Sequence, residues 1–366
     1  MKTKLFLLLL SVSVASCTTK TSNSLTGQEE SALRQAIKND TLFASWVEDT
    51  SNAIKIYKQY KVNVMKSDSL WESDQQRLKK IDDFGYTSKF ELIPLVENLY
   101  GDTTFRKAEG VSYLIQTDHS TILFDTGIDD DSTMCVLRYN LDKLGIDISK
   151  IDAIFISHNH GDHQNNWKWI NDKTFVTTEN ESILQSIKIY VPRNDLNLKI
   201  PTVFSKDPVK LSEGVYTTGI IGAPMFFSFS QEQGLMINVK DKGIVIVSGC
   251  GHQTVEKILL RCERISNMPI YGLLGGLHFP VDGDSEKYMG YYITGKLPWV
   301  PFTLNDVNKK IGLIKNRNLK LVGLSTHDSS PTAVEAFKTT FSKEYQDLRV
   351  GEWIVEKPDS LTTFGQ

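Results

Sequence analysis

Between residues 28 and 88, apolar side chains recur at helical spacing. Leu33 and Ile37 share one face, followed by Phe43, Trp46 and Val47, then Ile54, Tyr57 and Tyr60. From Phe90 the pattern changes to short β-rich runs separated by turn residues. Residues 91–96 and 111–115 read as strands, and 121–124 follows across the polar turn Asp118-His119-Ser120, which predicts a hairpin. Residues 151–156 form a largely apolar run that reads as a buried strand. Further strands are expected at 243–247, 270–274 and 319–324, each followed by polar or helical sequence, with a helix starting near Asn305. Strands alternating with helices in the second half predict an α/β layered fold.

The N-terminus has a different pattern. Lys2 and Lys4 precede an apolar stretch from Leu5 to Val14 that ends in Val14-Ala15-Ser16-Cys17. A charged start, a short hydrophobic core and small residues at the cleavage point describe an export signal, and the run is short for a transmembrane helix. The cysteine after Val-Ala-Ser resembles a bacterial lipobox, so Cys17 is expected to become a lipidated N-terminus. The polar residues that follow suit a tether from a lipid anchor. The expected organisation is a signal peptide over 1–17, a polar linker over 18–27, a helical extension over 28–88 and one α/β domain over 89–357. This places the protein outside the cytoplasm, on the periplasmic or outer side of a bacterial membrane, anchored without spanning it. That setting is oxidising, and Cys135, Cys250 and Cys262 are an odd number, so at least one thiol stays unpaired within the chain.

Composition narrows the function little. The chain has 366 residues and a net charge of −3, which supplies no basic footprint for nucleic acid. The chemistry lies in Ser157-His158-Asn159-His160-Gly161-Asp162-His163, at the end of the 151–156 strand. The chain has 7 histidines, and three of them fall within this stretch. Imidazole and carboxylate are the donors that zinc, iron and manganese prefer, and a turn containing Gly lets neighbouring side chains converge. The cluster therefore reads as a metal site, for two cations. The later strands share one habit, running into Gly or Ser and then histidine: Gly249-Cys250-Gly251-His252, Gly275-Gly276-Leu277-His278 and Ser325-Thr326-His327-Asp328. Ligands at the carboxyl ends of strands converge on one crevice. His119, in the hairpin turn, is expected to be exposed. Aromatic residues interleaved with Gly and Pro over 288–302 suit a pocket wall, with Tyr292 and Trp299 against substrate and Lys296 for an anionic group, or else packing under the following helix.

These residues resemble the metallo-β-lactamase-fold superfamily. Its His-x-His-x-Asp-His motif stands here as His158, His160, Asp162 and His163, and its Asp-Thr-Gly as Asp125-Thr126-Gly127. Within the superfamily the chain is similar to the branch named for 7,8-dihydropterin-6-methyl-4-(β-D-ribofuranosyl)-aminobenzene-5′-phosphate synthase. The likeness runs over residues 91–355, through Leu95-Val96-Glu97-Asn98, Gly249-Cys250-Gly251-His252, Gly275-Gly276-Leu277-His278 and Thr326-His327-Asp328-Ser329-Ser330. Two departures stand out: Asn165-Asn166 replaces a frequent Gly-Gly, and the usual bridging aspartate position falls on Cys250.

The resemblance implies an αββα sandwich with two divalent cations, zinc first and iron or manganese next. One cation would be held by His158, His160 and His252, the other by Asp162, His163 and His327. It implies that Asp125 orients a ligand histidine, and that Cys250 is either a thiolate ligand or a small residue packed beside the ligands. Asp162 would also accept a proton, and His278 would protonate a leaving group or hold substrate. The implied activity is a hydrolase using a metal-bound hydroxide on an ester, phosphoester, amide or lactone bond of a small molecule. The alternatives are a synthase or transferase acting on a phosphorylated pterin-like substrate, and a non-catalytic metal-binding lipoprotein.

Overall fold

The computed structural model describes residues 24–128, 135–164, 186–194 and 200–358. The export signal, Cys17 and the Asn165-Asn166 pair lie outside the described residues. Two sheets face one another. The first has β1 (Phe90–Val96), β2 (Ser112–Thr117), β3 (Thr121–Phe124), β4 (Ala153–Phe155), β5 (Lys188–Tyr190), β6 (Thr202–Val203) and β15 (Ile354–Glu356). Their order is β15-β1-β2-β3-β4-β5-β6, antiparallel as far as β3 and parallel from β3 to β6. The second sheet has β7 (Lys210–Ser212), β8 (Val215–Thr217), β11 (Leu235–Val239), β12 (Gly243–Ser248), β13 (Ile270–Gly275) and β14 (Leu321–Leu324), in the order β14-β13-β12-β11-β8-β7. A separate hairpin joins β9 (Ile221–Pro224) to β10 (Phe229–Glu232).

Strand alternation builds the layers. In β12, Val245 and Val247 face the first sheet, while Ile244 and Ile246 face outward. There they meet α5 (Val255–Ile265), α6 (Leu304–Lys315) and α7 (Pro331–Thr340). In β1, Phe90 and Leu92 enter the space between the sheets, and Ile93 and Leu95 pack outward with Leu137 and Leu141 of α4 (Val136–Lys143). Each sheet thus buries both faces, giving the expected αββα sandwich. Cys262 and Cys135 belong to different outer layers. Among the described residues, no helix is long and apolar enough to cross a membrane.

Before the first sheet come α1 (Gly27–Asn39), α2 (Thr41–Val47) and α3 (Thr50–Arg77). Each starts on an oxygen-bearing cap: Thr26 in a capping box with Glu29, then Asp40, then Asp49. The helical pattern read as far as residue 88 stops at Arg77. Beyond it the backbone bonds to the second sheet and its cover, Ile81 N–H to the Ile265 carbonyl and Thr87 N–H to that of Asn238. Tertiary pairing replaces the helix there. The three helices are fastened to the sandwich. Arg261 of α5 is fully buried and donates to Asp74 at 2.5 Å and to the Thr218 carbonyl at 2.8 Å. Ser67 donates to the Gly222 carbonyl at 2.9 Å.

Candidate metal centre

Five strands deliver the site. Asp125 follows β3, the stretch 157–163 follows β4, Cys250 and His252 follow β12, His278 follows β13, and Ser325 and His327 follow β14. The strand ends meet closely enough to exclude side chains at several crossings. At Gly110 (φ +83) a Cβ would fall 1.8 Å from the Asp162 carbonyl oxygen, and at Gly276 it would fall 2.1 Å from that of Gly249.

Two groups of donors form. One ligand atom from each of His158, His160, Cys250 and His252 lies within 4.8 Å of the others, and so do those of Asp162, His163, Cys250 and His327. Imidazole nitrogens face one another at 3.2 Å, His160 Nδ1 with His252 Nε2 and His163 Nε2 with His327 Nε2. Cys250 Sγ lies 3.0 Å from His163 Nε2 and 3.3 Å from His327 Nε2. The structure therefore brings together all six expected ligands, and it places Cys250 in both groups.

The outer hydrogen bonds fix which nitrogens face inward. Asp125 accepts from the Ser157 N–H and hydroxyl, both at 2.6 Å, and from His163 Nδ1 at 2.7 Å. Because the Ser157 hydroxyl donates to Asp125, it must accept from His158 Nδ1 at 2.9 Å. This leaves the His158 Nε2 lone pair turned inward. A matching relay holds His327. Ser325 donates to Glu97 at 2.5 Å and accepts from His327 Nδ1 at 2.6 Å. His252 Nδ1 donates to the Tyr292 carbonyl at 3.2 Å. Orienting acceptors of this kind are what metal-binding histidines use.

Electrostatics leave four of the six expected ligands as neutral imidazoles. Burial, with neighbouring imidazoles next, pushes His158, His252 and His327 well below the usual histidine range. Burial also takes His160 down to about 4. These rings are neutral, the form that offers a lone pair. Burial disfavours charge on His163 too, but Asp162 and Asp125 outweigh it and raise the ring to about 9. For Asp162 burial pushes upward, and His163, His327 and His160 hold it below its ordinary value, as an anion. Burial and the surrounding carboxylates push the Cys250 thiol up, an effect that a divalent cation reverses. The clearest sign of fit is His158 Nε2, which is buried and has no hydrogen-bond partner. A coordinated cation satisfies it, and the S and N donors suit zinc.

The donors floor a cavity of about 600 Å³ lined in part by Glu109, Phe229, Glu286, Tyr288, Met289 and Tyr292. Of Tyr292, Lys296 and Trp299, expected as its wall, only Tyr292 lines it. Trp299 packs instead on Phe43, Tyr57 and Phe226, under the N-terminal helices. Lys296 donates to Asp306 at 2.8 Å and to the Pro301 carbonyl at 2.7 Å, beside a smaller cavity of about 210 Å³. Its charge is already matched. His278 lines both cavities, and its Nε2 donates to the Met289 carbonyl at 2.9 Å. Burial lowers it to about 4, so the ring is neutral and its unpartnered Nδ1 is an acceptor. This geometry does not supply the leaving-group acid expected of it. His119 sits in the β2–β3 turn with its side chain 40% exposed.

Sequence reasoning did not assign roles to Glu97, Ser157, Ser325 or Glu232. Glu97 is fully buried and receives five donors, from Asn98, Tyr113, Ser325 and, twice, Thr326. The signal was available, since a carboxylate directly ends an apolar strand, as Asp125 does after β3. Glu232 accepts from the Gly251 N–H at 2.7 Å, steadying the turn that carries Cys250 and His252, and burial raises it to about 7.

Comparison with known proteins agrees with this architecture. Residues 107–288 match the family model described as metallo-beta-lactamase superfamily. The chain is 28% identical to 7,8-dihydropterin-6-methyl-4-(beta-D-ribofuranosyl)-aminobenzene-5'-phosphate synthase of Methanocaldococcus jannaschii, over 56% of this chain and 82% of that protein. A solved metal-dependent hydrolase of the beta-lactamase superfamily aligns at 18% identity with a TM-score of 0.51, covering 73% of this chain and 99% of that one. A metallo-beta-lactamase fold protein from Bacillus subtilis aligns at 15% identity and a TM-score of 0.46, over 74% and 100% of the two chains. The two-sheet body of this chain has the metallo-β-lactamase fold, and the superfamily's model matches its residues 107–288.

Proposed function

We propose that the protein is a metal-dependent hydrolase that cleaves an ester, phosphoester, amide or lactone bond of a small molecule. The observation that carries this reading is the pair of donor groups sharing Cys250 at the floor of an open cavity. His158, His160, His252 and Cys250 would hold one divalent cation, and Asp162, His163, His327 and Cys250 the other; the thiolate favours zinc. Bound cations would supply an activated water at neutral pH and neutralise charge on the substrate oxygen. Asp162 is ionised, its side chain is 32% exposed, and it lines the cavity, so it is placed to accept the proton of the attacking water. His278 offers an acceptor to a substrate N–H or O–H. Tyr288 and Tyr292 wall the cavity.

Metal content by mass spectrometry, followed by a panel of phosphodiesters, lactones and β-lactams, tests the proposal. Turnover by the two-metal protein supports it. Full turnover by an Asp162→Ala protein with both cations bound would overturn the role given to Asp162. Fewer than one metal per chain would favour a non-catalytic lipoprotein.

The synthase named among the relatives gives a second reading, a transfer reaction on a phosphorylated pterin-like substrate. The carboxylates of Glu109, Asp284 and Glu286 along the cavity repel a phosphate placed away from the cations, which favours hydrolysis of a less anionic molecule. We also propose that Cys17 carries a lipid and anchors the protein to a bacterial membrane. Release of a Cys17→Ser protein from the membrane fraction is the expected result, and unchanged fractionation would refute it.

A further inference from the structure

The short 3-10 segment Lys287–Tyr292 faces two ways. Toward the metal centre it presents backbone oxygens. The Tyr292 carbonyl accepts from His252 Nδ1 at 3.2 Å, and the Met289 carbonyl accepts from His278 Nε2 at 2.9 Å. Each bond sets which nitrogen of its ring carries the proton. Away from the centre it presents the side chains of Lys287 and Tyr291, and these are held by the N-terminal helices. Tyr291 is 1% exposed and belongs to the same core cluster as Leu33, Phe43, Val47 and Tyr57. Its hydroxyl donates to Asp40 Oδ2 at 2.8 Å. Lys287 Nζ lies 3.0 Å from the same oxygen. The other oxygen of Asp40 caps α2, accepting from the Phe43 N–H at 3.0 Å. Trp46 of α2 meets the rings of Tyr291 at 5.2 Å, Tyr292 at 6.1 Å and Tyr288 at 6.5 Å.

A 3-10 turn is a poor spring by itself, because its internal hydrogen bonds are few and badly aligned. One bond ties it to the residue before it, Met289 N–H to the Glu286 carbonyl at 3.0 Å. Its position depends on contacts from outside, and Asp40, Trp46 and the aromatic cluster beneath α1–α3 supply the contacts on the side away from the metal centre. A hydrogen bond weakens steeply with misalignment, so a displacement of about 1 Å in this segment is enough to release His252 from its orienting carbonyl.

We propose that the N-terminal helices are a positioning element for the metal centre, with Asp40, Trp46 and Tyr291 fixing the segment whose carbonyls orient His252 and His278. The helices act at a distance, without supplying a ligand. The idea rests on the proposed role of His252 as a ligand, and its test is built so that the two can fail separately.

The metal-free full chain is titrated with Zn²⁺, and the protonated nitrogens of His252 and His278 are read by ¹⁵N NMR of the rings. Tyr291→Phe and Asp40→Asn are expected to weaken the cation site containing His252 by about tenfold, at the low end of what orienting partners contribute, and to leave the other site within about twofold. Both are also expected to convert His252 from a single Nδ1–H tautomer to a mixture. Ala53→Gly weakens the same helices away from the segment, so it should lower the melting temperature without either change. Trp46→Phe serves as the milder variant if Asp40→Asn does not fold. If Tyr291→Phe and Asp40→Asn lower the melting temperature as Ala53→Gly does, with both affinities and the His252 tautomer unchanged, the helices are merely structural and the proposal is wrong. A wild-type chain that binds less than one Zn²⁺ overturns the metal reading itself. The tautomer measurement still decides the positioning role in that case.

Discussion

The two halves of the candidate metal centre are held in different ways. His158, His163 and His327 stand at strand ends, and their outer nitrogens meet serine and carboxylate groups buried in the sandwich, Ser157 with Asp125 and Ser325 with Glu97. His252 and His278 rest instead on two carbonyls of one short segment, which is fastened to helices outside the sandwich. The first half is built into the fold and moves only if strands move. The second half is adjustable, and a change in helices that hold no ligand reaches it. A binding site can therefore keep a fixed chemical core while its orientation on one side is set by an added element.

The comparison is broken most severely at Asp125. Asp125→Ala removes the partner of a buried imidazole raised to about 9 and of two Ser157 donors. Loss of one partner of a buried pair costs about 3–5 kcal/mol, so urea unfolding should shift by that amount and metal content should fall. A loss under about 1 kcal/mol would show that the sheet-held half is not held by this carboxylate.

Acid and base act with opposite sign on one histidine from each half, His163 and His278. In the metal-free protein His278 sits at about 4, below its unfolded value near 6.5, so the unfolded chain binds the extra proton. Its contribution to stability is therefore present above about 6.5 and is lost as pH falls toward 4. His163, raised to about 9, has the opposite sign: its contribution is complete below about 6.5 and is lost as pH rises through 9. Each is worth about 3 kcal/mol, and unfolding free energies at the three pH values should be highest near 6.5. A monotonic rise from acid to base would contradict the opposed signs.

Glu97→Gln sharpens the comparison inside the sheet-held half. An amide turns an N–H₂ toward groups that now donate, so we expect a loss of about 1–3 kcal/mol and about tenfold weaker binding at the site with His327. Metal titration showing both sites unchanged would remove Glu97 from the account. The smallest effect is expected at Lys296→Met. Its ammonium pairs with Asp306 outside the main cavity, so stability should change by about 1 kcal/mol or less and substrate affinity not at all.

Much of this was legible in the sequence, for reasons of residue type. Unbroken apolar runs marked β1 to β4 and β12 to β14, and the polar donors directly after them marked one crevice. The short strands between residues 188 and 239 were not legible, because runs of two to five residues with mixed burial carry little periodicity. Cys250 was left between ligand and packing residue because either reading fits a Gly-rich turn; only geometry puts Sγ in both donor groups. The partnership of Glu97 with Ser325 joins residues 228 apart, which no local pattern reveals. The aromatic residues over 288–302 were read as one wall or one packing unit, and the structure divides them. Tyr288 and Tyr292 line the cavity, while Tyr291 and Trp299 pack beneath α1–α3.

The most direct measurement of the central claim is the metal content of the purified protein, together with zinc X-ray absorption on the loaded form. Two divalent cations per chain are expected, with sulfur scattering from Cys250 at about 2.3 Å. Fewer than one cation per chain, or two cations with no sulfur neighbour, would contradict it.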